Sequence, residues 1–234
     1  MRRNIILIAT VLYATIGWSQ TMNIHYKNGQ TVQYNMNNID YVEYTEDNPN
    51  NAQVSSGEAV DLGLSVLWAS CNVGATSPEE FGDLYAWGET ETKSSFSEYY
   101  YLYYNKDTYS YIDIGKDIGG TDYDAAHVKW GGNWRMPTPE EIEELRSKCS
   151  WKWSTINKAT GYIVTGTNGN SIFLPVKSSY NDTLYWSSQI SYYERNKASN
   201  TLTSASCIAL SKDVKMMTAA IRYMEGYIRP VKSK

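Results

Sequence analysis

The sequence predicts an α+β domain of two short helices and many short antiparallel strands, preceded by a small β-hairpin unit. Three observations carry this. Two Asn-Gly pairs, Asn28-Gly29 and Asn168-Gly169, sit between alternating apolar runs, the strongest short-range hairpin signal. Two capping boxes, Ser77-Pro78-Glu79-Glu80 and Thr138-Pro139-Glu140-Glu141, each write a helix start. The remaining apolar residues alternate in short runs bounded by Gly, Asn, Asp and Ser.

Residues 1–19 read as a signal peptide. Arg2 and Arg3 form the positive end, and Ile5 to Ile16 is an apolar stretch of about a dozen residues, short for a membrane span. Gly17-Trp18-Ser19 then offers small residues for cleavage between Ser19 and Gln20. Residues 20–46 form the hairpin unit: Met22–Tyr26 and Thr31–Tyr34 alternate around Lys27-Asn28-Gly29-Gln30, and a third strand is expected at Ile39–Tyr44. Strands this short bury little by themselves. Residues 47–58 (DNPNNAQVSSGE) lack an apolar period and read as a linker.

Residues 59–234 are the main domain. Val60–Ala69 carries apolar residues on alternate positions. Ser77 is expected to cap a short helix that Gly82 stops. Thr138 is expected to cap a longer one, to about Cys149, with Ile142, Leu145 and Cys149 on one face and Glu140, Glu143 and Glu144 outward. Strands follow at Ser150–Trp153, Gly161–Thr165, Ser171–Pro175, Thr183–Ser188, Ala205–Ser211, Val214–Thr218 and Gly226–Lys232.

The composition is aromatic through Tyr and Trp, with 21 Tyr and 8 Trp against 3 Phe. Both have a polar tip, so they suit contact surfaces, and equally loop-rich interiors where a hydroxyl satisfies a carbonyl. The net charge is −4, more acidic once Arg2 and Arg3 leave, and there is no basic cluster. That excludes a nucleic-acid footprint. After the leader no segment is apolar enough for a membrane span. Cys71, Cys149 and Cys207 sit in apolar settings and read as small buried hydrophobes; a Cys71–Cys149 bridge stays open, because spacing does not establish one.

No catalytic set is legible. Two His, His25 and His127, are too few for a zinc site or a triad. Asp113, Asp117, Asp122 and Asp124 lack the spacing of a calcium loop, so calcium has no motif behind it and no cofactor is expected. Trp134, Arg135, Thr138, Glu141, Trp186 and Arg229 read as structural. Seven Tyr between residues 99 and 111 form either a packed excursion or an exposed face. Candidate ligand contacts are Tyr101 and Tyr103 there, Tyr192, Tyr193 and Arg195 after the Trp186 strand, and Arg222 and Tyr223 before the last one, because Tyr and Arg are enriched at hot spots.

Val60–Ala69, Asn72–Asp83, Tyr85-Ala86-Trp87-Gly88-Glu89, Ala126–Trp130, Gly131–Glu141, Asn168–Pro175, Tyr185-Trp186-Ser187-Ser188 and Ile228-Arg229-Pro230-Val231 together resemble the Fibrobacter succinogenes major paralogous domain. The resemblance runs from Ala59 to Val231. It implies a C-type-lectin-like fold in an exported or surface protein. More distantly, Trp134–Glu141 and the terminal Gly-x-x-Arg-x-Val are similar to formylglycine-generating enzymes, which hold copper with a cysteine pair. Cys207 has no neighbour to complete such a pair, and the Glu-Pro-Asn, Gln-Pro-Asp and Trp-Asn-Asp motifs of calcium-dependent lectins are absent. Asp182-Thr183-Leu184 resembles a bacterial O-glycosylation site at Thr183.

The functional expectation is a non-catalytic exported recognition module, periplasmic, secreted or at the cell surface, that binds a protein or glycan. The alternatives are an enzyme derived from the formylglycine-generating architecture and a structural component of a surface assembly.

Overall fold

The structure, a computed structural model, describes residues 21–25, 31–35, 57–177, 183–191 and 202–234. The leader with its Ser19-Gln20 junction, the third hairpin strand at 39–44 and most of the linker lie outside them. The chain divides into two units, Met1–Pro49 and Asn50–Lys234. In the first, β1 (Thr21–His25) and β2 (Thr31–Asn35) pair antiparallel, with Ile24 opposite Val32.

The second unit is α+β, built of short antiparallel strands and two helices. Its elements are β3 (Ala59–Asp61), β4 (Leu67–Ala69), β5 (Tyr104–Asn105), β6 (Ser110–Tyr111), α1 (Ala125–Trp130), α2 (Pro139–Lys148), β7 (Ser150–Ile156), β8 (Ala159–Thr165), β9 (Ser171–Pro175), β10 (Thr183–Ile190), β11 (Ser204–Leu210), β12 (Lys215–Ile221) and β13 (Val231–Lys232). Among the described residues no sheet exceeds three strands: β3–β4–β13, β5–β6, β7–β8–β9 and β10–β11–β12.

α2 follows its sequence. The Thr138 hydroxyl accepts from Glu141 N, the Glu141 carboxylate accepts from Thr138 N, and Pro139 opens the first turn. Ile142 and Leu145 are buried. The expected solvated face is wrong at one position. The Glu144 carboxylate takes Ser65 N at 3.0 Å, Ser65 Oγ at 2.5 Å and Lys148 Nζ at 2.8 Å, tying the helix to the β3–β4 loop.

The helix expected at Ser77 is a turn. Glu80 reaches one residue past the cap, taking Thr76 N at 2.7 Å and Oγ1 at 2.9 Å. Phe81 O goes to Asn72 Nδ2, and Asp83 N to Val73 O. Gly82 reverses the chain at φ 71°, where a Cβ would strike Val73 O. The second helix is α1 instead, capped by Asp124.

The strand expected over Gly226–Lys232 shrinks to Val231–Lys232, because Gly226 and Tyr227 bridge to Tyr85 and Tyr185 as single pairs. Val60–Ala69 splits into β3 and β4, yet Leu62, Leu64, Val66 and Trp68 still point inward on alternate positions. The β8–β9 turn carries Gly169 at φ 87°, as Asn168-Gly169 predicts.

Sheet β10–β11–β12 partitions two cores. Tyr185, Ile208 and Leu210 face one with Leu62, Trp68, Ile142, Leu145 and Val164. Trp186, Ala205 and Cys207 face the other with Tyr85, Trp87, Ile118, Met136 and Ile228. Arg229 is 2% exposed, and its partners are neutral: Asn72 Oδ1 at 2.7 Å, Ala69 O at 3.0 Å and Phe173 O at 2.7 Å. Burial pulls its guanidinium below the usual value. The bulk of the Trp186 ring is closed over by Gly226, and its Nε1 donates to Tyr85 O at 2.9 Å.

Gly226→Ala is expected to destabilise the domain by about 1–3 kcal/mol, since its Cβ would stand 2.5–3.0 Å from a pinned indole; denaturant midpoints check it. Glu144 supplies a pH test. Burial alone would raise its carboxyl, but the bonds from Lys148 and Ser65 outweigh it and pull the pKa down from 4.5 to about 2. A carboxyl held below its unfolded value stabilises the fold above that value and loses the contribution as pH falls through the folded one. The stability gap between wild type and Glu144→Gln should therefore be full at pH 7, shrink below about 4.5 and close near about 2, read from urea melts at stepped pH.

Candidate functional site

The tyrosine-rich segment is both packed and exposed, and Arg222 divides the two. Arg222 is 1% exposed. Its Cζ lies 5.0 Å from the Trp87 ring, 5.4 Å from Tyr101 and 5.6 Å from Tyr111. At these distances a desolvated guanidinium gains about 2 kcal/mol from a ring face. Its Nε donates to Tyr101 Oη at 2.9 Å, and Nη1 donates to Ile112 O at 3.1 Å and Leu202 O at 3.0 Å. Tyr101 Oη donates onward to Trp87 O at 2.6 Å, and Tyr111 Oη to Glu98 at 2.9 Å. Burial pushes both hydroxyls well above the usual Tyr range, so they stay protonated donors.

A second anchor is Glu89, 3% exposed. It accepts Leu102 N at 2.8 Å and pairs with Lys93 Nζ at 2.6 Å, and that ammonium also donates to Tyr100 O at 3.1 Å. The flap from residue 89 to 112 is thus fastened along its inner side. Its outer side is free: Tyr99, Tyr100, Leu102 and Tyr109 are 63%, 58%, 68% and 81% exposed. Beside them opens a pocket of about 580 Å³ lined by Glu89, Glu91, Thr92, Lys93, Ser94, Ser95, Tyr100 and Leu102. That volume falls within the range of small-ligand sites. Its wall offers the Tyr100 ring, the hydroxyls of Thr92, Ser94 and Ser95, and two carboxylates, of which Glu89 is paired with Lys93 and Glu91 reaches Lys129 at 2.6 Å.

The sequence placed these roles imperfectly. Tyr101 and Arg222 were expected as ligand contacts; both are buried and hold the flap, Arg222 through Nε and Nη1. Tyr103 and Tyr223 are half-buried, packed against Tyr101 and Tyr111. Tyr192, Tyr193 and Arg195 lie outside the described residues. Of the pocket residues, Tyr100 was marked only within the tyrosine-rich segment and Glu89 only within the family motif, and the Glu89–Lys93 pair went unmarked because no helix sets their spacing. Thr183 is 2% exposed, and its Oγ1 accepts from Lys177 N at 2.8 Å, so burial in β10 closes it to glycosylation in the folded domain.

The opening of α2 is a closed structural unit. Arg135 grips Glu141 with two bonds, of 2.8 and 2.6 Å, so the carboxylate that completes the capping box is itself held. Trp134 is 7% exposed and meets Trp130 edge-on at 5.2 Å. Asp124 is wholly buried. Burial pushes its carboxyl up, against four N–H donors from Gly120, Ala126, His127 and Met136. Asp113 and Asp117 bond Gly115 N and Gly119 N, the turn chemistry of short loops. Among the described residues no three His, Cys, Asp or Glu side chains gather as a metal site would need. All three cysteines are free thiols; burial raises each, Cys207 to about 12. No helix among the described residues is long and apolar enough to cross a membrane.

Arg222→Met should cost about 3 kcal/mol, because Ile112 O, Leu202 O and Tyr101 Oη each lose a buried donor. It should also loosen the flap, so limited proteolysis is expected to cut between residues 92 and 112 before the rest of the domain.

Comparisons with protein-family models, with curated proteins and with solved structures return no match.

Proposed function

We propose that the chain is an exported, non-catalytic recognition module of the Fibrobacter succinogenes major paralogous type, with a C-type-lectin-like fold, and that it binds a protein or glycan through the outer side of the flap at residues 89–112. One observation carries this reading. Tyr100 and Leu102 are held out beside a hydroxyl-rich pocket while their neighbour Tyr101 is locked inside. Large apolar side chains exposed next to fixed polar groups are the ordinary makeup of a contact surface. The leader-like first nineteen residues and the ordered set of motifs from Ala59 to Val231 support the compartment and the family. The thiols, raised by burial, are poor nucleophiles at neutral pH, and Cys207 has no neighbouring cysteine in the sequence to complete a copper-holding pair, which favours binding over the chemistry of the similar enzymes.

Glycan-array and pull-down screens of the wild-type chain identify the ligand, and Tyr100→Ala and Leu102→Ser then test the surface. Each is expected to weaken binding by about tenfold with little change in melting temperature, since neither side chain packs inside. Ligand binding untouched by both substitutions would move the site off the flap.

A further inference from the structure

β12 is the outer strand of its sheet, and its hydrogen-bond phase is fixed at both ends. Ser211 and Val214 exchange bonds of 3.0 and 3.3 Å at one end, and Arg222 N donates to Thr203 O at 2.9 Å at the other. An antiparallel ladder alternates bonded and non-bonded positions with a period of two. Met216, Thr218 and Ala220 therefore bond inward to β11, and the register between these strands runs without a shift. Lys215, Met217, Ala219 and Ile221 turn N–H and C=O away from β11. Ile221 O is taken by Met224 N at 2.9 Å; the other outward groups meet no partner among the described residues.

This edge carries few of the devices that keep an edge unpaired. Its seven residues, KMMTAAI, include no Pro and one charge, at the end. Met216 is 54% exposed and Ile221 38%, with Ala219 exposed between them.

We propose that β12 pairs antiparallel with β12 of a second copy about a two-fold axis through Thr218, making one six-stranded sheet across a dimer. Three two-fold registers set three or more of the outward-turned residues opposite one another, centred on Met217, Thr218 or Ala219. The first sets Met217 against itself. The last sets Met216 against Arg222, whose side chain is already buried elsewhere. The register about Thr218 sets Met216 against Ala220 and Met217 against Ala219, a large side chain facing a small one each time. Lys215 faces Ile221, so no like charges meet at the seam. This self-complementarity is why the occupant is a copy of the same strand and not a foreign peptide, and an isologous pair closes on itself without propagating.

Sedimentation equilibrium on the full chain tests it. Wild type is expected at twice the monomer mass at about 100 µM. Thr218→Lys and Thr218→Glu place like charges face to face at the axis. Each should raise the dissociation constant by about tenfold or more, and an equimolar mixture of the two should recover a dimer. Thr218 is half-exposed, and circular dichroism confirms that the variants fold. If either does not fold, Ala219→Lys at an exposed position serves the same purpose, opposing Met217 with a long charged chain. A monomeric wild type, a dimer that folded charge variants leave intact, or folded variants that fail to recombine would each overturn the proposal.

Discussion

The main domain rests on one constraint: buried backbone groups must be satisfied in a fold whose described sheets are three strands or fewer. Long loops run through both cores, and ladders satisfy only part of what they bring inside. Side chains complete the rest. Asp124 takes four N–H groups. Arg229 and Arg222 each serve two carbonyls, and Asn72 serves one. The indoles of Trp87 and Trp186 serve Ser187 O and Tyr85 O. Tyr101, Tyr162 and Tyr185 serve Trp87 O, Ser211 and Lys212 O, and Pro175 O. Left orphaned at about 1–3 kcal/mol each, these groups together would cost as much as or more than the roughly 5–15 kcal/mol by which such domains are stable.

This constraint explains the composition. Phe fills space as well as Tyr but carries no donor, and the chain holds 21 Tyr to 3 Phe. It also explains why two arginines are buried without a carboxylate among their hydrogen-bond partners. Removing a guanidinium from water is expensive. A fork of five donors that joins three separated segments, as Arg229 joins residues 69–72 to Phe173, offsets that cost by sparing several carbonyls at once. Tyr185 is the companion of that site: it accepts from Asn72 and donates to Pro175 O, and burial pushes its hydroxyl up to about 12, securing the proton it needs to donate.

What was legible in the sequence follows from whether the deciding interaction is local. α2 was legible because its cap, its Pro and its box partner lie within four residues. The same pattern at Ser77 misled because the Glu80 carboxylate had a better partner one residue earlier, and no spacing rule sees that competition. α1 was missed because six residues show no helical period and its cap, Asp124, reads as one more loop Asp. Arg222 was read as a surface contact because Arg is enriched at hot spots, and Thr183 as accessible because Asp182-Thr183-Leu184 resembles a glycosylation site. In both places the pattern is inverted: Ile221 is exposed beside a buried Arg222, and Leu184 is half-exposed beside a buried Thr183. Those inversions are decided by Leu202 O, Ile112 O and Lys177 N, whose positions the sequence leaves open.

The same accounting separates scaffold from exposed surface on the flap. Tyr101 and Tyr111 spend their hydroxyls on internal acceptors, and Glu89 spends its carboxylate on Leu102 N and Lys93. None of these can change without exposing a deficit in the interior. Tyr100 and Leu102 contribute only backbone to that network, through Tyr100 O and Leu102 N. Their side chains take no part in it, the Tyr100 ring meeting only the exposed Tyr99 ring edge-on at 5.1 Å among the described ring contacts. Substitution there alters the shape and chemistry of the pocket wall at little cost to folding, while the backbone that presents it stays pinned by Glu89 and Lys93. A flap built this way keeps its geometry constant while its exposed chemistry is free to vary, which is what the proposed recognition surface would require.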